Sequence, residues 1–341
     1  MTNEGTHEAK PIFELEVLTP VTFAMIQNQH DEYMLIGKPT TVQQTLVNDR
    51  NVVLDERGES LSSWQTSPTE IDGTNTVIGG TIGTDGTGVV PSSYGTGPAW
   101  HGPALVKEIP VIQDFEVEMR CRVELDRSSD TFRIETYLFD EGLNVIGKLA
   151  IVDNTINISQ IAAEGRYGDF RGINEGYAIS SRNYLKRGQH FHGVLRLTRR
   201  GNNFEFYVAR LATGTVIPKH YDVLRVSYTD TSQTLTGKLK YVQVHFGKFG
   251  SSTSATVPRI NQLKVTELVQ TTEDQTPYIA YPGDMITFDH KDEKMLLNGE
   301  SVMRLKDFGA RFFELQKGPN EFVVHPSDAF NVTMKFRETF K

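Results

Sequence analysis

DFEVEMRCRVELDRSSDTFRIETYLFDEGLNVIGKLAIV, residues 114–152, decides the fold. Its first twelve residues alternate strictly: Phe115, Val117, Met119, Cys121 and Val123 fall on one side of an extended chain, while Glu116, Glu118, Arg120, Arg122 and Glu124 fall on the other. A period of two is the mark of a half-buried strand, not of a helix. The polar turn that follows leads into a second run, Thr131–Phe139, and Asp140–Asn144 leads into a third, Val145–Val152. Three antiparallel strands are therefore written into one stretch of chain.

The same signal recurs outward in both directions. His192–Arg199, Asn203–Arg210, Tyr221–Tyr228, Lys238–Phe246 and Ile260–Leu268 are rich in Val, Ile, Thr, Phe and Tyr and break at Gly, Asn, Asp or Pro. That spacing suits a sandwich or jelly roll. Arg199-Arg200-Gly201-Asn202-Asn203 reads as a hairpin, with Gly201 or Asn202 taking a positive φ. The best helical pattern, Arg304–Leu315, has room for a turn or two. The expected class is all-β.

Two shifts in composition mark boundaries. Residues 60–94 are dense in Gly, Thr and Ser (GGTIGTDGTG, SSYGTG), and residues 271–276 are a short polar run, TTEDQT. An insert whose ends return to one place fits domains whose termini lie close together. The expected division is 8–58 for the first part of an outer β domain, 59–270 for an inserted sandwich and 271–341 for the second part. Within the Gly-Thr stretch two readings stand, a loose linker or irregular strands on the sandwich edge. Trp64, Val77, Ile78 and Tyr94 favour some packing.

Composition excludes several functions. The formal net charge of −8 argues against a phosphate backbone as partner, since that attraction comes from clustered Lys and Arg. No apolar run approaches the length of a membrane helix, and MTNEGTHEAKP lacks a secretory pattern. Neither nucleic acid nor membrane insertion is expected. Cys121 is the one cysteine, which rules out internal disulfides and thiolate clusters, and its alternating context predicts a packed thiol.

Catalytic motifs are missing. There is no HExxH, GxxxxGK[ST] or GxSxG, and the glycines at 80, 83, 86 and 88 open no helix. Retaining glycosidases need two carboxyl groups roughly 5–5.5 Å apart. Glu135 and Asp140 are five residues apart and so face opposite sides of a strand, whereas Glu116 and Glu118 share a face that reads as solvated. His190 and His192 share a face without a carboxylate or thiol at metal spacing, which predicts a surface or cross-strand role. Calcium is the one ion left open, through Asp153, Asn154 or Asp169.

The outer pieces carry a family resemblance. Asp289, Asn298-Gly299, Phe313–Leu315, Gly318–Asn320 and Arg337-Glu338 with Phe340 follow the pattern of a strand aspartate, an NG hairpin, a Phe-x-Leu strand end, a Gly-x-Asn turn and a final R-E-x-[FY]. This resembles the C-terminal end of siphophage distal tail (Dit) proteins, and PIFELEVLTPVTFAMIQNQHDEYMLIGKP is similar to the opening of their galectin-like domain. The insert, through Trp100-His101-Gly102-Pro103 and the 114–153 strands, resembles the carbohydrate-binding modules of evolved Dit proteins, whose fold is concanavalin-like. Such proteins normally begin with a ring-forming belt domain, for which there is no room before Pro11; the chain is then a fragment or a relative without it.

The resemblance implies a concanavalin-like jelly-roll sandwich inserted into a small galectin-like β domain, on a virion tail tip. Its implied partners are bacterial cell-surface polysaccharide and other phage tail or baseplate proteins. A purely structural baseplate role and a cell-wall glycanase are the alternatives. Sugar recognition calls for flat apolar faces beside planar polar groups, usually on loops. Residues 164–184, EGRYGDFRGINEGYAISSRNY, supply that mixture in a Gly-punctuated stretch with no evident strand alternation. The candidate binding residues are Arg166, Tyr167, Asp169, Phe170, Arg171, Asn174 and Tyr177, with Trp100 and His101 next. The alternative for the aromatics is packing against the sandwich.

Overall fold

Alternating apolar residues can be buried only if a second layer covers them, and two layers do so here. The computed structural model describes residues 1–40, 44–66, 77–168, 176–181, 190–214 and 217–340, with the backbone alone for 176–181. Asp169, Phe170, Arg171 and Asn174 thus lie outside the described residues. The chain divides into two units, one made of Met1–Asp49, Ala212–His220 and Gln270–Lys341, the other of Arg50–Leu211 and Tyr221–Val269.

The first unit pairs Ile12–Val17 with Met285–Asp289 on one side and Phe330–Lys335 on the other, in a five-stranded antiparallel sheet. A three-stranded sheet, Phe322–His325, Phe23–Asn28 and Tyr33–Gly37, accompanies it. Phe13, Leu15, Ile26, Ile36, Ile286, Phe288 and Phe313 form its core. The Asn298-Gly299 hairpin has φ of 50° and 83°, the pair of positive values that a type I′ turn demands. Helix is limited to one 3-10 turn, Met303–Leu305, among the described residues.

The second unit is the sandwich. Its eight-stranded sheet runs His220–Thr229, Asn203–Leu211, His190–Arg200, Phe115–Glu124, Thr256–Leu268, Val89–Ser93 and Thr81–Thr84, with Arg50–Glu56 also on Thr256–Leu268. The nine-stranded sheet runs Gly176–Ser181, Ala162–Tyr167, Val145–Asp153, Phe132–Phe139, Leu239–Phe249, Trp100–Gly102 and Val77–Ile78, with Ala104–Ile112 also on Leu239–Phe249 and Gln65–Thr66 beyond it. The two sheets enclose Phe115, Val117, Met119, Cys121, Phe132, Ile134, Leu149, Phe206, Val244 and Phe246. Burial pushes the Cys121 thiol up, so it packs as a small apolar group.

The all-β class and the sandwich architecture are borne out. Every strand named from the 114–268 pattern forms within a few residues of its expected ends. The Gly-Thr stretch contributes strands rather than a free linker where it is described: Trp64 is buried in the core and its Nε1 donates to Glu56 Oε2 at 2.9 Å. One boundary moves. Residues 50–58 read with the outer pieces, but Arg50–Glu56 pairs with Thr256–Leu268 and so lies within the sandwich.

Candidate functional site

Alternation in the nine-stranded sheet has a consequence for its second face. Ile134, Leu138, Leu149, Ile151, Ala163, Val242 and Val244 point into the core. Their neighbours Arg133, Glu135, Tyr137, Lys148, Glu164, Arg166, Gln243 and His245 therefore share the opposite face. Register aligns them: Glu135 lies beside His245, Tyr137 beside Lys148 and Gln243, and Lys148 beside Arg166.

A charged cluster forms at the centre of this face. Lys148 Nζ is 2.7 Å from Glu135 Oε1 and 3.2 Å from Glu164 Oε2, and lies 5.2 Å from the Tyr137 ring centroid. His245 Nδ1 donates to Glu135 Oε2 at 2.7 Å. Glu135 is 1% exposed, Lys148 3% and His245 0%. Burial alone would raise the Glu135 carboxyl, yet the Lys148 ammonium, the His245 hydrogen bond and the Arg133 guanidinium hold it well below the usual carboxylate range. His245 Nε2 is buried and finds no hydrogen-bond partner among the described residues.

This cluster escaped the sequence reading. A search for paired carboxylates along one strand cannot find Glu135 and Glu164, which stand on strands separated by Val145–Asp153. The available signal was polar residues at the outward positions of several central strands, Glu135, Lys148, Gln243 and His245. The cluster's one ammonium occupies the space between both carboxylates, and Glu135, held ionised, is no proton donor.

The expected residues are redistributed. The 164–184 stretch was read as a loop without alternation, and that is corrected: Ala162–Tyr167 and Gly176–Ser181 are paired antiparallel strands. Gly165 is small because of packing and does not punctuate a loop, since a Cβ there would lie 2.3 Å from Phe206 Cδ1. Arg166 is fully buried. Tyr167 faces the core side, stacked on Tyr228 at 4.2 Å and 12° and 5.7 Å from Phe204. Such a ring is committed to the sandwich and does not present a free face. Tyr177 is in register with Arg166.

Trp100 and His101 separate in role. Trp100 pairs with Phe249 in register, meets its ring edge-on at 5.6 Å, and carries the Arg133 guanidinium 3.9 Å from its ring centroid. It remains partly exposed. His101 is buried, its Nδ1 2.9 Å from the Ala99 carbonyl oxygen. The following Gly102 is a packing requirement, because a Cβ there would collide with the Phe246 carbonyl at 1.8 Å. Trp100 with Arg133 thus stands on the same face as Arg166, with the Glu135–Lys148 cluster between them.

The remaining carboxylates and imidazoles organise local structure. Asp140 accepts from the Gly142 and Asn144 amides, closing its turn. Asp153, through which calcium was left open, is buried and accepts from Thr155 N, Thr155 Oγ1 and Gln160 N. Asn154 Oδ1 accepts from Arg133 Nε at 3.3 Å. Glu116 and Glu118 are laced to Arg50, Arg120 and Arg196. His192 is half-buried, and burial together with Arg122 and Arg120 pushes its imidazole below its ordinary value. Among the described residues no group of three His, Cys, Asp or Glu side chains is arranged to hold a metal.

Comparison with known proteins adds the following. Residues 248–340 match the family described as siphovirus-type tail component, C-terminal domain. No curated protein matches the chain. Among solved structures, the CBM2 module of the evolved Dit of Lactobacillus casei BL23 phage J-1 superposes with a TM-score of 0.54 at 15% identity, covering 66% of this chain and 100% of that one. The laminarinase catalytic domain from Thermotoga maritima MSB8 reaches 0.40 at 10% identity, covering 65% and 100%, too low to bear on function. The resemblance read from the C-terminal residues is borne out, and the first of these structures shares the sandwich fold.

Proposed function

We propose, for a chain whose C-terminal part is a siphovirus-type tail-component domain, that the sandwich is a non-catalytic module binding saccharide on the host cell surface during adsorption. The reading rests on one conjunction: that domain occurs in the same chain as a sandwich folded like the carbohydrate-binding module of an evolved Dit. The outward face of the nine-stranded sheet suits the task, because Trp100 and Arg133 provide an aromatic and a planar donor side by side on a rigid sheet. Asp169, Phe170, Arg171, Asn174 and Tyr177 are proposed as further sugar-binding residues. Arg166 and His101 are buried and Tyr167 is stacked on Tyr228, so these three are proposed to support the sandwich and not to touch the sugar. Several copies on one tail would compensate a weak single site by avidity.

A binding role is favoured over hydrolysis because Lys148 bridges Glu135 and Glu164 and occupies the space between them. Fluorescently labelled protein should decorate the cognate host cells, and Trp100→Ala with Arg133→Ala should weaken that by roughly tenfold, about 1.4 kcal/mol, in a protein that still unfolds cooperatively. Wild-type protein that decorates no host cell would leave the module a structural part of the baseplate. Release of reducing sugar from host wall, abolished by Glu135→Gln, would overturn the non-catalytic reading.

A further inference from the structure

Among the described residues the most exposed aromatic lies in the first unit. Phe308 is 103% exposed, at the tip of the turn Asp307-Phe308-Gly309. The turn itself is stiff. Asp307 Oδ1 accepts from Tyr33 Oη and from the Gly309 amide, both at 2.9 Å, and the Asp307 amide donates to Leu35 O at 3.0 Å. Arg311 N donates to Tyr33 O at 2.9 Å, and Lys306 Nζ bridges the Asp307 and Ala310 carbonyls. Gly309 has no room for a side chain, since a Cβ would lie 2.4 Å from Tyr33 Oη. A preorganised aromatic loses little conformational entropy on docking, which is what makes such a residue an effective anchor.

Charge around the ring points to the partner. Arg304 and Arg311 flank it in sequence, both are exposed, and neither forms an ion pair among the described residues. Arg57, Arg122 and Arg225, by contrast, are matched within the chain by Asp55, Glu124 and Glu205. On a chain of net charge −8, two exposed guanidinium groups four and three residues from a bare aromatic, without an ion pair among the described residues, ask for carboxylates supplied from outside. A lipid surface fits less well: one ring is a small insertion, and the net negative charge opposes an anionic bilayer. The turn also falls within residues 248–340, the segment that matches a tail component.

We infer that Phe308, with Arg304 and Arg311, is a docking knob that enters an apolar socket rimmed by acidic side chains on a neighbouring protein of the phage particle. This rests on the tail reading above. The test introduces Phe308→Ser, and separately Arg304→Glu with Arg311→Glu, into the phage genome, and quantifies this chain per purified virion by mass spectrometry. Both variants should lower incorporation at least tenfold while the isolated proteins melt as wild type and still decorate host cells. Wild-type levels of the Phe308→Ser chain in virions would overturn the assignment alone. Absence of the wild-type chain from virions would overturn the tail reading and the assignment with it. Co-sedimentation with phosphatidylglycerol–phosphatidylcholine vesicles, lost in Phe308→Ser, would transfer the knob to a lipid surface and equally overturn it.

Discussion

Acid should weaken the first unit through a single imidazole. His290 is 1% exposed and walled by Phe13, Phe312 and Phe313, whose ring centroids lie 5.6, 5.6 and 4.2 Å away. Its Nδ1 sits 2.9 Å from both the amide and the carbonyl of Phe313. Burial dominates, and neither the Phe313 backbone nor Asp289 offsets it, so the imidazole is pushed down to about 4. In the unfolded chain the value is about 6.5. Between these limits the unfolded state binds more protons than the folded one, so the contribution is complete above pH 6.5 and is lost as pH falls toward 4. Linkage then gives about 2 kcal/mol lost between pH 7.5 and pH 5, out of about 3.4 in all. Both tryptophans, Trp64 and Trp100, belong to the sandwich, so their fluorescence does not report on this unit. Hydrogen exchange in peptides covering 285–289 and 311–315 does. Protection there should drop about thirtyfold from pH 7.5 to 5, after correction for intrinsic exchange, and His290→Gln should flatten the dependence. An equally steep profile in the variant would refute the reasoning.

Two further outcomes concern the sandwich. Lys148→Met removes the ammonium shared by Glu135 and Glu164 and should cost about 3–5 kcal/mol in urea unfolding followed by tryptophan fluorescence; adding Glu135→Gln should recover part of the loss, and additive effects would show that the pair is not coupled. Tyr167→Ala should lower stability by about 3–5 kcal/mol, because the ring is stacked on Tyr228 and Phe204; a normal melting temperature with lost cell binding would instead make it a contact residue.

The strands were legible because their evidence is local. Phe115 to Val123 alternate whatever the rest of the chain does, and Gly201 takes a φ of 56° in the hairpin where a positive value was expected. The site was legible only in part. Glu135, Lys148 and His245 are ordinary polar residues of amphipathic strands until register places them together across three neighbouring strands, a relation held in contacts up to 110 residues apart. Gly165 misled for a related reason: a glycine chosen to admit Phe206 is indistinguishable in sequence from one chosen to turn the chain. Trp100 was found as a type, but the Arg133 beside it is a tertiary fact.

The pairing of Ile12–Val17 with Met285–Asp289 and Phe330–Lys335 sets an order of events during synthesis. This strand leaves the ribosome before the sandwich does, while its partners follow after the whole sandwich has emerged. At about 5–20 residues per second the interval is on the order of 15–60 seconds, long compared with the folding of a β-sandwich. The second unit can close while Phe13, Leu15 and Val17 still lack their neighbours. Glu14 and Glu16, placed between those residues, keep the waiting segment from being a wholly apolar strand open to other chains. The nascent protein thus passes through a folded sandwich with an unpaired strand beside it, and the first unit is completed only when Phe330–Lys335 has emerged.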